Sequence, residues 1–164
     1  MSAEIIKLVI LHLSLWTSPT KLADADRYAF YINYYSQEFD VDPAITTAVI
    51  YRESNFDQYM VGKAKEIGLG QIKKGTPSTR DYNDLPRRAF FEPSFNIFLV
   101  VRNLARVRAY CHSDNPNQWL SAYNGWRRRS DGHCFKTNYS KRVMSTYRLI
   151  KKLEVQYGTA EASN

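Results

Sequence analysis

The sequence predicts a mainly helical single domain built around one long central helix, with a small glycine-turn or hairpin element beside a cleft. Three observations lead there. Apolar residues recur at helical spacing over most of the chain. Several prolines sit where a helix begins: Asp42-Pro43, Glu92-Pro93 and Asn115-Pro116. Proline suits the first helical position because its missing N–H has no partner there in any case. Finally, 164 residues with 44% apolar content suffice for one real core. No internal repeat or low-complexity tract interrupts them.

Residues 1–20 admit two readings. Leu8 to Trp16 are largely apolar, broken by His12 and Ser14, and far too few to span a bilayer as a helix. They suit the core of a secretory signal or envelope anchor, with Lys7 ahead and Ala23-Asp24-Ala25 as a poor cleavage site. Ile5, Ile6, Val9, Ile10 and Leu13 equally suit an amphipathic helix packed on the domain. Residues 17–21 form a turn-rich break. Residues 21–158 make the domain proper.

Residues 24–39 read as a helix with Tyr28, Ile32, Tyr35 and Phe39 on one face. A core helix follows over residues 43–53, capped by Asp42. Its inward face carries Ile45, Ala48, Val49 and Arg52. Glu53 follows Val49 by four residues and so points near the same face. Burial disfavours its charged form, and so does the negative end of the helix dipole. A carboxyl kept neutral near neutral pH can protonate a leaving oxygen. A loop over residues 55–66 leads to the turn Gly68-Leu69-Gly70-Gln71, where glycine permits close approach of backbone to a ligand.

Residues 73–88 are polar and proline-broken, and read as a loop over the cleft. The long central helix spans residues 93–110. Phe95, Phe98, Val101, Leu104 and Val107 or Arg108 form its core stripe, and Arg102, Arg106 and Arg108 its solvated face. A short helix from Asn115-Pro116 carries Trp119, Leu120, Tyr123 and Asn124, with Gly125 to end it. Asn124 can both donate to and accept from a sugar N-acetyl group. Trp126-Arg127-Arg128-Arg129 reads as a solvated basic loop. The last helix spans residues 138–157, with Asn138 as cap, Gly158 as stop, and Tyr139, Val143, Tyr147 and Ile150 on one face. Residues 159–164 read as a disordered tail.

Taken together, Glu53-Ser54, Gly68-Leu69-Gly70-Gln71, Ala122-Tyr123-Asn124 and Tyr139 resemble the soluble-type lytic transglycosylases of the lysozyme-like superfamily. That family's pattern is Glu-Ser, Gly-Leu-Met-Gln, Ala-Tyr-Asn and a Tyr near the start of the last helix. Glu53 and Gln71 lie 18 residues apart, as the pattern requires, and Glu92-Pro93-Ser94-Phe95-Asn96-Ile97 resembles its acidic-Pro-x-x-Asn-Ile helix start. The likeness covers residues 28–151. Two departures stand out. Gly70 replaces the usual Met, which would remove a side chain from the cleft floor, and Lys65-Glu66 replace Gly-Ala.

The resemblance implies a lysozyme-like α+β fold and cleavage of peptidoglycan between N-acetylmuramic acid and N-acetylglucosamine, without cofactor or metal. It implies Glu53 as general acid and then base, closing a 1,6-anhydro ring on the muramyl sugar. Ser54 would support Glu53. Gly68, Leu69, Gly70 and Gln71 would line the sugar site, with Tyr123, Asn124 and Tyr139 opposite. The setting implied is the cell envelope, the periplasm or the outside of the cell, for a monomer on glycan strands. A host enzyme, a phage lysin and a secretion-system component would all carry this pattern.

Cys111-His112 and His133-Cys134 form a mirrored pair. Zinc could use two Cys and two His, but adjacent ligands lack the usual spacer. A disulfide would tie the long helix to the loop before Tyr139, as suits an exported enzyme. Two free thiols are the third reading.

Three other functions remain on the sequence alone. A hydrolytic muramidase would need a second carboxylate, Glu66 or Asp57, about 5 Å or about 6.5–9.5 Å from the first. A wall-binding module would have no use for Glu53. A nucleic-acid-binding domain would rest on the net charge of +7 and the tryptophan-arginine run, but the charge is spread over several segments. No specific nucleic-acid partner is therefore expected.

Overall fold

A computed structural model describes residues 1–14, 24–125 and 130–161. Its helices are α1 Ala3–Ser14, α2 Ala25–Glu38, α3 Pro43–Ser54, α4 Pro93–Tyr110, α5 Pro116–Trp119 and α6 Asn138–Glu161. Short 3-10 turns occupy Arg80–Tyr82, Arg87–Phe91 and Leu120–Asn124. The hairpin element is reduced to isolated antiparallel bridges, Val61 to Ile67 and Ile67 to Ile72. The architecture is the mainly helical one the periodicities predict.

Helix α1 packs on α2 and α6. Ile5, Ile6, Val9, Ile10 and Leu13 are its buried stripe. Each fully buried aliphatic side chain here is worth roughly 1.5–3 kcal/mol. No described helix is long and apolar enough to cross a membrane. Trp16 and residues 17–21 lie outside the described residues, as do Ala23 and the Trp126-Arg127-Arg128-Arg129 run.

Helix α3 is buried on more than one face. Ala44, Ile45, Thr46, Thr47, Ala48, Val49 and Ile50 are all inside. The two threonines fit because their hydroxyls are satisfied, Thr46 with Ser36 at 3.0 Å and Thr47 donating to the Pro43 carbonyl at 2.8 Å. Asp42 caps the start by accepting from the Ala44 amide at 2.8 Å, and Asn55 ends the helix in a left-handed conformation, φ 52°. Arg52 is not on the inward face as its spacing suggests. It is exposed, and its Nε donates to Thr146 Oγ1 at 2.8 Å.

Helix α4 also departs from its expected stripe. Phe95 and Phe98 are only half-buried. They join an edge-on aromatic cluster with Tyr35, Phe39 and Tyr82. The core is met by Ile97, Leu99, Val100, Val101, Leu104 and Val107. Neighbours on several sides give the helix a wider buried arc than one stripe. Its arginines are anchors rather than a solvated face. Arg102 pairs with Asp81 at 2.5 Å and donates to the Ser78 carbonyl at 3.5 Å. Arg106 donates to the Pro77 carbonyl at 3.2 Å, and Arg108 to the Asp40 carbonyl at 2.6 Å.

Gly158 does not stop α6, which runs on to Glu161. The glycine lies against Ile5 of α1, and Thr159 donates back to the Val155 and Gln156 carbonyls at 3.0 Å, carrying the helix on. Residues 159–161 are therefore helical rather than a disordered tail, and residues 162–164 lie outside the described set.

Cys111, at the C-terminal end of α4, is bonded to Cys134, with Cα atoms 5.2 Å apart. Both are buried, and the pairing leaves no thiolate for a metal. It ties α4 to the segment entering α6. Cross-linking a loop of this size stabilises by about 3 kcal/mol, chiefly by restricting the unfolded chain. Cys134→Ser should therefore lower denaturant stability by about 3 kcal/mol. Reduction should lower the wild type by a similar amount and leave the variant unchanged.

Candidate active site

The site is a cleft of about 710 Å³ between the end of α3, the loop over residues 62–78, α4 and the turn after α5. Glu53 lines it from the last turn of α3. Tyr139, in the first turn of α6, donates to Glu53 Oε1 at 2.6 Å. Burial pushes the Glu53 carboxyl up to about 7. The Tyr139 hydrogen bond pulls the other way, Glu66 pushes further up, and Arg142 pulls down. Loss of water is thus the ruling effect, as a carboxyl at the end of a buried helix should show. Burial, reinforced by Glu53, holds the Tyr139 hydroxyl well above its usual range, so it remains a donor. With Oε1 accepting from Tyr139, Oε2 is the oxygen left to carry the proton.

The glycine turn plays a different part from the one its sequence suggests. Gly68, Leu69 and Gly70 are buried and do not line the cleft; of the motif only Gln71 does. Their polar backbone atoms are used inside the protein. The Gly68 amide donates to the Met60 carbonyl at 2.8 Å, the Gly70 amide to Asn96 Oδ1 at 2.8 Å, and Tyr123 Oη donates to the Gly70 carbonyl at 3.0 Å. A Cβ at position 68 would meet Asn96 Nδ2 at 2.6 Å, and one at position 70 would meet Val100 Cγ2 at 2.0 Å. Glycine here admits side chains of α4. The missing side chain at Gly70 therefore leaves no gap in the cleft floor, because Val100 fills the place.

Asn96 ties this floor together. Fully buried on α4, it accepts from the Gly70 amide and donates to the Ile67 carbonyl at 3.0 Å and the Phe90 carbonyl at 2.7 Å. The bonds to Gly70 and Ile67, of about 1 kcal/mol each, hold the turn to the helix, and the third holds the 3-10 turn Arg87–Phe91. Tyr123 adds a parallel stack on Tyr139, with ring centroids 6.4 Å apart.

Ser54 does not support Glu53. It is buried and its hydroxyl donates to the Ile50 carbonyl of its own helix at 3.3 Å. Gln71 lines the cleft and is fixed by donating to the Gly68 carbonyl at 3.0 Å. Tyr123 and Asn124 line the opposite side. Of the two candidate second carboxylates, Glu66 lines the cleft and Asp57 does not. Asp57 instead accepts from the Tyr59 amide at 3.0 Å.

The sequence placed residues 73–88 over the cleft but did not single out which of them, or which polar residue of α4, line it. Thr76, Pro77 and Ser78 form one wall of the cleft, strapped to α4 by Arg102 and Arg106. Asn103 lines the cleft beneath them, 7% exposed, and its Oδ1 has no hydrogen-bond partner among the described residues. Asn96 and Asn103 are seven residues apart, two polar intrusions in an apolar helix. A buried polar residue is more informative than any apolar one, and that spacing was the available signal.

A family model for the transglycosylase SLT domain matches residues 30–142, which takes in Glu53, the glycine turn, Asn124 and Tyr139. The chain belongs to the transglycosylase SLT domain family. It is also similar to the membrane-bound lytic murein transglycosylase C of Shigella sonnei (strain Ss046), 28% identical over 113 residues. That alignment covers 62% of this chain and 32% of the relative, so the chain spans about a third of the relative's length. The fold is accordingly the lysozyme-like one of this family. In this SLT domain the cleft brings together Glu53, Gln71, Tyr123 and Asn124 with Tyr139 behind them. It leaves Ser54, Gly68, Leu69 and Gly70 as packing residues.

The buried carboxyl has a consequence for stability. The folded state holds the Glu53 proton up to about pH 7, whereas the unfolded chain releases it near 4.5. Stability from this group is therefore full below pH 4.5 and lost as pH rises toward 7. Glu53→Gln keeps an acceptor for Tyr139 and removes the titration. It should be more stable than wild type at pH 8 by up to about 3 kcal/mol. The advantage should vanish near pH 4 in paired denaturant titrations.

Proposed function

We propose that this SLT domain is a peptidoglycan lytic transglycosylase that cleaves the β-1,4 bond between N-acetylmuramic acid and N-acetylglucosamine. The observation that carries the proposal is the Glu53 carboxyl, held near pKa 7 in a sugar-sized cleft and hydrogen-bonded by Tyr139. A group so poised is half protonated near neutral pH, which suits donation and later recovery of one proton.

In this proposal Glu53 Oε2 protonates the departing glycosidic oxygen, and the bond to the muramyl C1 breaks. Asn124 orients the N-acetyl group, which stabilises the cation-like centre. Glu53, now a carboxylate, takes the proton of the muramyl 6-hydroxyl, whose oxygen bonds to C1 and closes the 1,6-anhydro ring. The proton balance closes on Glu53 alone. Tyr139 stabilises the transient carboxylate. The name of the Shigella sonnei relative, a membrane-bound lytic murein transglycosylase, supports the same chemistry and an envelope setting for it.

Glu66 gives a hydrolytic muramidase its one specific support, since it shares the cleft and acts electrostatically on Glu53. Its Oε2 accepts from the Ala64 amide at 3.0 Å. Mass spectrometry of fragments released from purified peptidoglycan separates the two. Anhydro products, lighter than hydrolysed ones by one water and absent with Glu53→Gln, are expected. Reducing-end products that also require Glu66 would instead establish the hydrolase, and release undiminished in Glu53→Gln would remove Glu53 from the chemistry.

A further inference from the structure

A second cavity, of about 390 Å³, adjoins the cleft and is lined by Lys65, Lys73, Lys74 and Arg87. No carboxylate is among its lining residues. Among the described residues none of these four cations is paired with a carboxylate. Lys74 is fixed in place: its Nζ donates to the Leu85 carbonyl at 2.6 Å and lies over the Phe90 ring, 5.9 Å from the centroid. Ala64 and Lys73 line both this cavity and the cleft, so a ligand seated in one reaches the other.

Lys65 carries a further mark. Its backbone is left-handed, φ 67°, a region where glycine is at ease and an L side chain is strained. The motif resembled here usually has glycine at this place. A strained cationic residue that lines a cavity beside the candidate active site is the kind of outlier from which function is inferred.

We propose that this cavity is a carboxylate subsite that receives the peptide stem carried by the muramyl sugar in the cleft. The inference rests on the proposed function and deepens it. The stem leaves the sugar through its lactyl group and bears free carboxylates. Arg87 supplies a planar fork for one of them, and the lysines supply point charges. Wall polymers rich in phosphate present a similar anion, and the substrate chosen for the test separates the two.

The test measures kcat and KM on peptidoglycan freed of phosphate polymers, either intact or stripped of its peptides by an amidase. Wild type should have the lower KM on intact strands. Lys65→Gln with Arg87→Gln should raise that KM about fivefold, with kcat and the stripped-strand KM unchanged. Lys65→Gly, which removes both charge and strain, should lose part of the preference while melting at or above the wild-type temperature. Equal wild-type KM values on the two substrates would overturn the subsite. So would a preference restored only by phosphate polymers, or a loss in the variants that is the same on both substrates. Wild type that cleaves neither substrate would contradict the proposed function and the subsite with it.

Discussion

Everything in this site depends on keeping water away from one carboxyl. Glu53 ends a helix whose preceding residues are buried on several faces, and the last helix clasps that helix along its length. Tyr147 donates to Asp42 at 3.0 Å where α3 begins, Arg52 donates to Thr146 near its end, and Tyr139 closes on Glu53 itself. A side chain at the end of a fraying helix would be solvated and idle. The three bonds between α3 and α6 prevent fraying, and the resulting dry position raises the carboxyl. The price is stability near neutral pH.

The cleft around that carboxyl has a packed floor and a strapped wall. Asn96 holds the glycine turn against α4 through its bonds to Gly70 and Ile67 and the adjoining 3-10 turn through its bond to Phe90, and Val100 fills the space that Gly70 vacates. Arg102 and Arg106 reach from α4 to the carbonyls of Ser78 and Pro77 and fix the opposite wall. Both walls therefore stand on one helix. Tyr123 links the floor to the side of the cleft that carries Glu53 by bonding Gly70 and stacking on Tyr139. The glycines serve this packing rather than the ligand, which explains why Gln71, at their edge, is the member of the motif that faces the cleft.

The helices were legible because period and caps are local properties: Asp42-Pro43, Pro93 and Asn115-Pro116 mark starts that the structure keeps. Helical spacing pointed Glu53 inward, and the ordered motif put Tyr139 in the same site, but no local pattern reveals the bond between them, 86 residues apart. What the sequence hid was direction. Spacing put Arg52 inward and Phe95 and Phe98 at the centre of the core, but the neighbours that decide burial come from distant segments. Gly158 looked like a stop until α1 proved to pack against it. The use of Gly68 and Gly70 turned on Asn96 and Val100, and the role of Ser54 on a bond to its own helix. Such outcomes belong to three-dimensional packing and leave no periodic trace.

The most direct measurement is the pH titration of the Glu53 side-chain carboxyl, followed by carbon-13 NMR with Glu53→Gln to assign the signal. A midpoint of about 7 is predicted, set by burial against the pull of Tyr139. A midpoint near the ordinary 4.5 would show the group solvated and charged at neutral pH. It could not then supply the proton on which the proposed reaction turns.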